Sequence, residues 1–260
     1  MTDPQLPALT GKTALVTGAS GVIGAGIADR FARAGAAVVV HYHHGEKAAR
    51  ALVERLTGEL GAEATALAAD LTDEGECRRL VEEAAAWRGG RLDALVNNAG
   101  IQPVQPFAEQ TADDWRRLYE ANVTSTFACT HAAAEVMGAQ EEGGSVTHIA
   151  SIEGSQPAFH HAHYNASKAA VIMHARAAAL ELGPRGIRVN SVSPGLIDQP
   201  GLAENWPEGV ARWTESAPLT RLGRPEDIGN ACVFLASPAA SWISGTNLTV
   251  DGGVSAHPTW

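Results

Sequence analysis

The chain has 260 residues, 45% of them hydrophobic, enough for a sizeable core and within the range that α/β folds occupy as one domain. Its 19 lysines and arginines stand against 29 acidic residues, a formal charge of -10 that excludes the basic footprint of a nucleic-acid binder. Cys77, Cys129 and Cys232 are widely separated and odd in number, which argues against a disulfide framework and gives no metal-ligand spacing. The opening MTDPQLPALTG has neither a basic start nor an apolar core, and no apolar run reaches the roughly 18 residues of a membrane helix. The expectation is a cytoplasmic protein with no membrane partner.

Along the chain, Thr13–Thr17 reads as a strand, a glycine turn follows, and Ile23–Ala34 has helical spacing that stops at Gly35. The alternation continues with a strand at Ala37–Val40, a helix at Glu46–Leu60, a strand at Ala64–Ala68 and a helix at Glu74–Trp87. Ala94–Val96, Val146–Ala150, Ile187–Val192 and Asn247–Val250 complete seven strands, with helical stretches near 112–138, 164–183 and 225–236. Strands alternating with helices predict a Rossmann-type, doubly wound parallel sheet flanked by helices, in one domain over 1–260. The segment Gln199–Leu222 carries three prolines and no clear periodicity; it reads as a long loop serving as a substrate lid.

Four short stretches carry the chemistry. LVTGASGVIGAG runs from an apolar strand into a glycine turn, where Gly18 and Gly24 allow a backbone to approach a pyrophosphate at a helix N-terminus. LVNNAG ends the fourth strand, YNASK opens a helix, and SPG follows the sixth strand. Tyrosine, with an ordinary pKa of about 10, is a poor base at neutral pH. Lys168 lies one helical turn beyond Tyr164, where a cation within about 4–6 Å would lower a phenol's pKa by about 1–3 units.

Together these motifs resemble the short-chain dehydrogenase/reductase family, and the resemblance runs from Gly11 to Gly253. The family's glycine loop is Thr-Gly-x-x-x-Gly-x-Gly; Thr17, Gly18 and Gly24 match, while its middle glycine falls on Val22, with Gly21 beside it. The resemblance implies a small-molecule ketone or secondary alcohol as substrate, with Tyr164 as acid/base. It also implies Ser151 as donor to the carbonyl oxygen, Lys168 on the nicotinamide ribose, and Asn122 holding a water that links the lysine to solvent. Asn122 lies inside a helical stretch it does not favour, which suits a kink.

The same resemblance assigns Gly18, Ser20, Gly21, Val22, Ile23 and Gly24 to the phosphate loop, and Asp70 with Leu71 to the adenine. Asn98, Ala99 and Gly100 form the wall by the adenosine ribose, with Thr17 and Asn97 as braces. Pro194, Gly195 and Ile197 lie near the nicotinamide, and Gln199 stands where the family usually has a threonine. At the end of the second strand, VVVHYHHGEK has Tyr42 where an NAD enzyme would carry an acid; His43 and His44 are the groups left to meet a 2′-phosphate. NADP(H) is favoured and NAD(H) stays open.

Gln102, Ser151, Glu153, His160 and Trp206 are the expected substrate contacts, giving a polar pocket unless Glu153 faces solvent and Trp206 and Trp213 make it apolar. The triplet His160, His161 and His163 has no convergent ligand spacing, so no metal is expected. A 3-oxoacyl carrier-protein reductase is the main alternative, although such chains commonly follow NNAG with Ile-Thr-Arg and this one reads NNAGIQP; a non-catalytic NAD(P)-binding sensor is the other. Alanine-rich helices near 112–138 and 164–183 lead to the expectation of a homotetramer.

Overall fold

A computed structural model describes residues 6–256; residues 1–5 and 257–260 of the expected 1–260 domain lie outside the described residues. Seven strands form one parallel sheet: β1 (Thr13–Val16), β2 (Ala37–Tyr42), β3 (Ala64–Ala68), β4 (Ala94–Asn97), β5 (Gly144–Ile149), β6 (Ile187–Pro194) and β7 (Asn247–Val250), in the order β3-β2-β1-β4-β5-β6-β7. The order reverses between β1 and β4, so the crevice outside their carboxyl ends is the natural ligand position of a doubly wound sheet.

Alternating side chains feed two cores, one on each face. Ala14 and Val16 of β1 and Val38 and Val40 of β2 pack with Ile27 and Phe31 of α1 (Val22–Arg33), Leu52 and Leu56 of α2 (Glu46–Leu60) and Ile228 of α9 (Pro225–Ala236). Leu15 and Val39 point the other way. They join Leu80 of α3 (Glu74–Trp87), Cys129 and Met137 of α5 (Ser125–Gly138) and Ala175 of α6 (Ala162–Leu182). Cys77, Cys129 and Cys232 are buried free thiols.

The helix ends follow local chemistry. The Asp73 carboxylate accepts from the Glu76 N–H to open α3, and Gly61, in the left-handed region at φ 63°, closes α2. At the start of α1, Gly21 precedes the helix and no side chain caps it, which leaves its first N–H groups available to a ligand.

Two expectations change. The helical stretch 112–138 is three pieces: α4 (Ala112–Tyr119), a π-helical turn at Glu120–Thr124, and α5. The expected loop 199–222 contains two helices, α7 (Leu202–Asn205) and α8 (Pro207–Ser216), with Pro207 at the first position of α8, where its missing N–H costs nothing. The ends of this segment are clipped together: Asp198 N–H donates to Gly223 O at 2.8 Å and Gly223 N–H to Leu196 O at 3.0 Å. Among the described residues no helix is long and apolar enough to cross a membrane.

Candidate active site

The turn after β1 is built around absent side chains. A Cβ on Gly24 would lie 2.5 Å from Gly18 O and 2.8 Å from Ala19 Cα, and Gly18 itself has φ +62° with Ala99 Cα 2.9 Å from where its Cβ would be. Gly21 is less constrained, its nearest neighbour Gly18 O being 3.4 Å away. Ser20 faces Gly45, where a Cβ would come within 2.7 Å of its Oγ. Val22 and Ile23 are the first residues of α1.

The turn is pinned by its neighbours. Thr17 Oγ1 donates to Val96 O at 3.3 Å and accepts from the N–H groups of Asn98 and Ala99 at 2.9 and 3.0 Å. Asn98 donates to Thr17 O at 2.8 Å and to Gly18 O at 3.2 Å, so the side chain bracing the loop is Asn98. Asn97, expected there, faces the other way and donates to Thr130 Oγ1 at 3.0 Å, because successive side chains at a strand end alternate in direction.

Sequence reasoning missed His41. Buried on β2, it accepts the Gly18 N–H on Nδ1 at 2.9 Å and holds Ala69 O on Nε2 at 3.2 Å. One nitrogen must accept and the other donate, which fixes the neutral Nε2–H tautomer. Burial pulls its pKa down to about 4. The available signal was a polar residue among apolar ones in AVVVHY.

Beyond β2, Tyr42 is half-buried, and the exposed rings of His43 and His44 stack with centroids 3.6 Å apart. Asp70 accepts from Thr72 N–H at 3.0 Å and Thr72 Oγ1 at 2.7 Å, bonds that hold its carboxyl below the usual range, and His43 Nε2 lies 3.7 Å away. Leu71, half-buried next to it, accepts from Cys77 Sγ through its carbonyl. An uncapped helix end, a cradle that Cβ atoms would fill and a half-buried strand end without an acid at Tyr42 all fit a dinucleotide.

Beyond the carboxyl end of β5, Ser151, Tyr164 and Lys168 come together. Lys168 Nζ donates to Ile149 O at 2.8 Å and lies 5.5 Å from the Tyr164 ring centroid. Burial pulls the ammonium down to about 8. Tyr164 is pushed well above its ordinary value, first by burial and then by the charge of Glu153, while a hydrogen bond from Ser151 pulls the other way. The lowering that the spacing of Lys168 suggested does not outweigh burial, and the phenol stands above its ordinary value. Ser151 also accepts from Glu153 N–H at 3.1 Å, capping a single 3-10 turn at Ile152–Gly154.

Asn122 sits in the π-helical turn, the expected kink. Its Oδ1 accepts from Ile101 N–H at 2.8 Å and its Nδ2 donates to Ile101 O at 2.9 Å, so it clamps the loop after β4. Gly100 makes room there: a Cβ would be 2.9 Å from Asn122 Oδ1 and 3.8 Å from Lys168 Nζ. Pro194 ends β6, Gly195 N–H donates to Val250 O at 3.0 Å, and Ile197 is buried beside Gly223.

Beside the expected substrate contacts His160 and Trp206, His161 and Trp213 are the more enclosed side chains. His160 has a left-handed backbone, φ 65°, and is exposed; it turns the chain into α6, and it is His161 that reaches Glu153, 2.8 Å from Nδ1 to Oε2. Trp206 lies over Gly209 and is 46% exposed, whereas Trp213 is the indole against Gly195, 2.7 Å from where a Cβ there would be. Gln102 joins the cluster, donating to Glu153 Oε1 at 3.3 Å. His163 points elsewhere and accepts the Tyr164 N–H at 3.0 Å.

A family model described as enoyl-(acyl carrier protein) reductase matches residues 18–255. The chain is 38% identical over 252 residues to the 3beta-hydroxysteroid dehydrogenase 1 of Eggerthella lenta, covering 96% of each. It is 41% identical over 246 residues to the 7alpha-hydroxysteroid dehydrogenase of Escherichia coli, covering 94% of each. Among solved structures, a 7alpha-hydroxysteroid dehydrogenase complexed with NADH and 7-oxo glycochenodeoxycholic acid is similar at TM-score 0.89 and 40% identity, over 95% of both chains. A short-chain type dehydrogenase/reductase from Mycobacterium marinum is similar at TM-score 0.89 and 37% identity, over 96% of this chain and 98% of that one.

The His41 brace gives a prediction in two parts. His41→Ala leaves the Gly18 N–H without its acceptor, so stability should fall by about 1–3 kcal/mol and NAD(P)(H) should bind about tenfold more weakly. In the unfolded chain an imidazole binds its proton below about 6.5, and in the fold His41 does so only below about 4. The unfolded state therefore holds more protons between those values, and stability is lost as pH falls through that window, by about 3 kcal/mol for this group. Buried His148 and His163 and half-buried His174 are also lowered and add to the slope, so chemical unfolding at pH 7, 5 and 4 should show a shallower loss in His41→Ala than in the wild type.

Proposed function

The chain belongs to the short-chain dehydrogenase/reductase family, and we propose that it uses Tyr164, Ser151 and Lys168 to interconvert a ketone and a secondary alcohol on a small, hydroxylated molecule. As a member it is an NAD(P)-dependent oxidoreductase of alcohols and ketones. The observation that carries the assignment of roles is the meeting of these three side chains beyond the carboxyl end of β5.

When bound, the nicotinamide supplies or accepts the hydride. Tyr164 handles the proton: its raised pKa keeps the phenol protonated, ready to donate to a carbonyl oxygen. The Ser151 hydroxyl, within hydrogen-bonding reach of that phenol, orients and stabilises the oxygen as charge develops on it. Lys168, held by Ile149 O, brings a positive charge beneath the tyrosine ring and favours the anion left after the proton has gone. Asn122 fixes the loop that closes this side of the site.

NADP(H) remains the favoured cofactor, supported by the absence of an acid at Tyr42 and the paired imidazoles of His43 and His44. Assembly into a homotetramer is supported by the exposed apolar side chains of α5 and α6: Phe127, Met173 and Leu180 are 46%, 58% and 80% exposed. Three buried free thiols fit a reducing, cytoplasmic compartment.

Tyr164→Phe removes the proton donor, so turnover of ketones should fall by about 10²–10⁴-fold while binding of reduced cofactor, titrated on the same preparation, stays within about threefold; near wild-type turnover would reject the role. Tyr42→Asp supplies the missing acid, and the ratio of NADP(H) to NAD(H) affinity should drop at least about tenfold, about 1.4 kcal/mol. An unchanged ratio would place the 2′-group elsewhere. Light scattering should give a multiple of the 27.1 kDa chain, and a monomer would remove the assembly claim.

A further inference from the structure

The segment after Ser151 and the start of α6 hold a polar cluster beside Tyr164. Glu153 and His161 have side chains only 17% and 14% exposed, and the carboxylate is gripped from two sides, by His161 Nδ1 at 2.8 Å and by Gln102 Nε2 at 3.3 Å. The His161 ring meets Tyr164 edge-on, with centroids 5.9 Å apart. These residues come from three segments, the loop after β4, the turn after β5 and the N-terminal end of α6, and they close over the tyrosine.

One atom of the pair stands apart. His161 Nε2 is buried and has no hydrogen-bond partner. An imidazole that donates from Nδ1 to the carboxylate leaves Nε2 as a lone pair, whereas an imidazolium would bury a second N–H donor with nothing to accept it, the costlier arrangement. With Nδ1 facing the carboxylate, it is the Glu153 charge that Tyr164 feels. Nearby, the Lys168 ammonium donates to Ile149 O.

We infer that Glu153, held in place by His161 and Gln102, selects substrates by charge: it admits neutral or cationic ketones and alcohols, above all those with a hydroxyl or amine near the reacting carbon, and disfavours a carboxylate or phosphate there. The inference rests on the reading of Tyr164 as the group that meets the reacting oxygen. A substrate hydroxyl or ammonium can donate to the Glu153 carboxylate. A substrate carboxylate would set two like charges together among largely buried groups, where water and salt screen poorly. Rejection of this kind is specificity by repulsion. His161 and Gln102 act through Glu153 and are positioning residues.

The test uses 3-oxocyclohexane-1-carboxylate and its carboxamide, which differ in charge and little else. Turnover of both, and calorimetric binding of both to the enzyme–cofactor complex, are compared in the wild type, Glu153→Gln and His161→Asn. The wild type should favour the carboxamide at least about tenfold in kcat/KM and in Kd, about 1.4 kcal/mol. Glu153→Gln should erase most of that preference by improving the acid, and His161→Asn should keep its sign while weakening it. No preference in the wild type, an unchanged preference in Glu153→Gln, or no binding of either compound overturns charge selection; the wild-type arm decides even where a variant folds poorly. Binding preference without turnover of either compound by the wild type supports charge selection and contradicts the assigned chemistry.

Discussion

A buried cation at the end of a parallel sheet is the constraint around which this site is built. Lys168 is almost fully enclosed, and its ammonium is held by the hydrogen bond from Nζ to Ile149 O at 2.8 Å. A charge so placed is costly, as the lowered pKa of about 8 registers. Its neighbours are shaped to tolerate it. Gly100 gives up a side chain beside it, Ser167 turns its hydroxyl back to Tyr164 O at 2.8 Å, and the π-helical turn at Glu120–Thr124 swings Asn122 inward to hold the loop at Ile101. An irregular turn in the middle of a helix is where a fold gives up regular bonding for a functional position.

The phenol of Tyr164 lies between opposed influences. Burial and Glu153 favour its neutral form, while the Ser151 hydrogen bond favours the anion. Glu153 thus touches both proton affinity and substrate choice, and its two grips come from loops that leave different strands. The cofactor side is organised in the same way, with Thr17, Asn98 and His41 reaching the glycine turn from three adjoining strands. Precise geometry on loops is possible because a rigid sheet supplies the anchor points.

Much of this was legible in the sequence. The bounds of α2, α3, β3 and β7 agree with the spacing of apolar residues, and the parallel order follows from strands alternating with helices. The four positions Asn122, Ser151, Tyr164 and Lys168 do share one region. What could not be read depended on single backbone angles or on contacts across the fold. The π-helical turn inserts a residue without disturbing hydrophobic periodicity enough to be seen. One left-handed residue, His160, decides which of two adjacent histidines meets Glu153. Prolines in 199–222 read as breakers, yet Pro207 begins a helix. His41 lies 23 residues from Gly18, and nothing in either local pattern announces their bond.

The central claim is that this cleft performs hydride transfer with proton handling by Tyr164, and isotope transfer tests it most directly. Reduced cofactor carrying deuterium at one or the other face of nicotinamide C4 is used to reduce a ketone by the wild-type enzyme, and the alcohol is analysed by mass spectrometry and NMR. The account predicts deuterium on the carbinol carbon from one face only, with the hydroxyl hydrogen coming from solvent. Unlabelled alcohol from both labelled cofactors would contradict it.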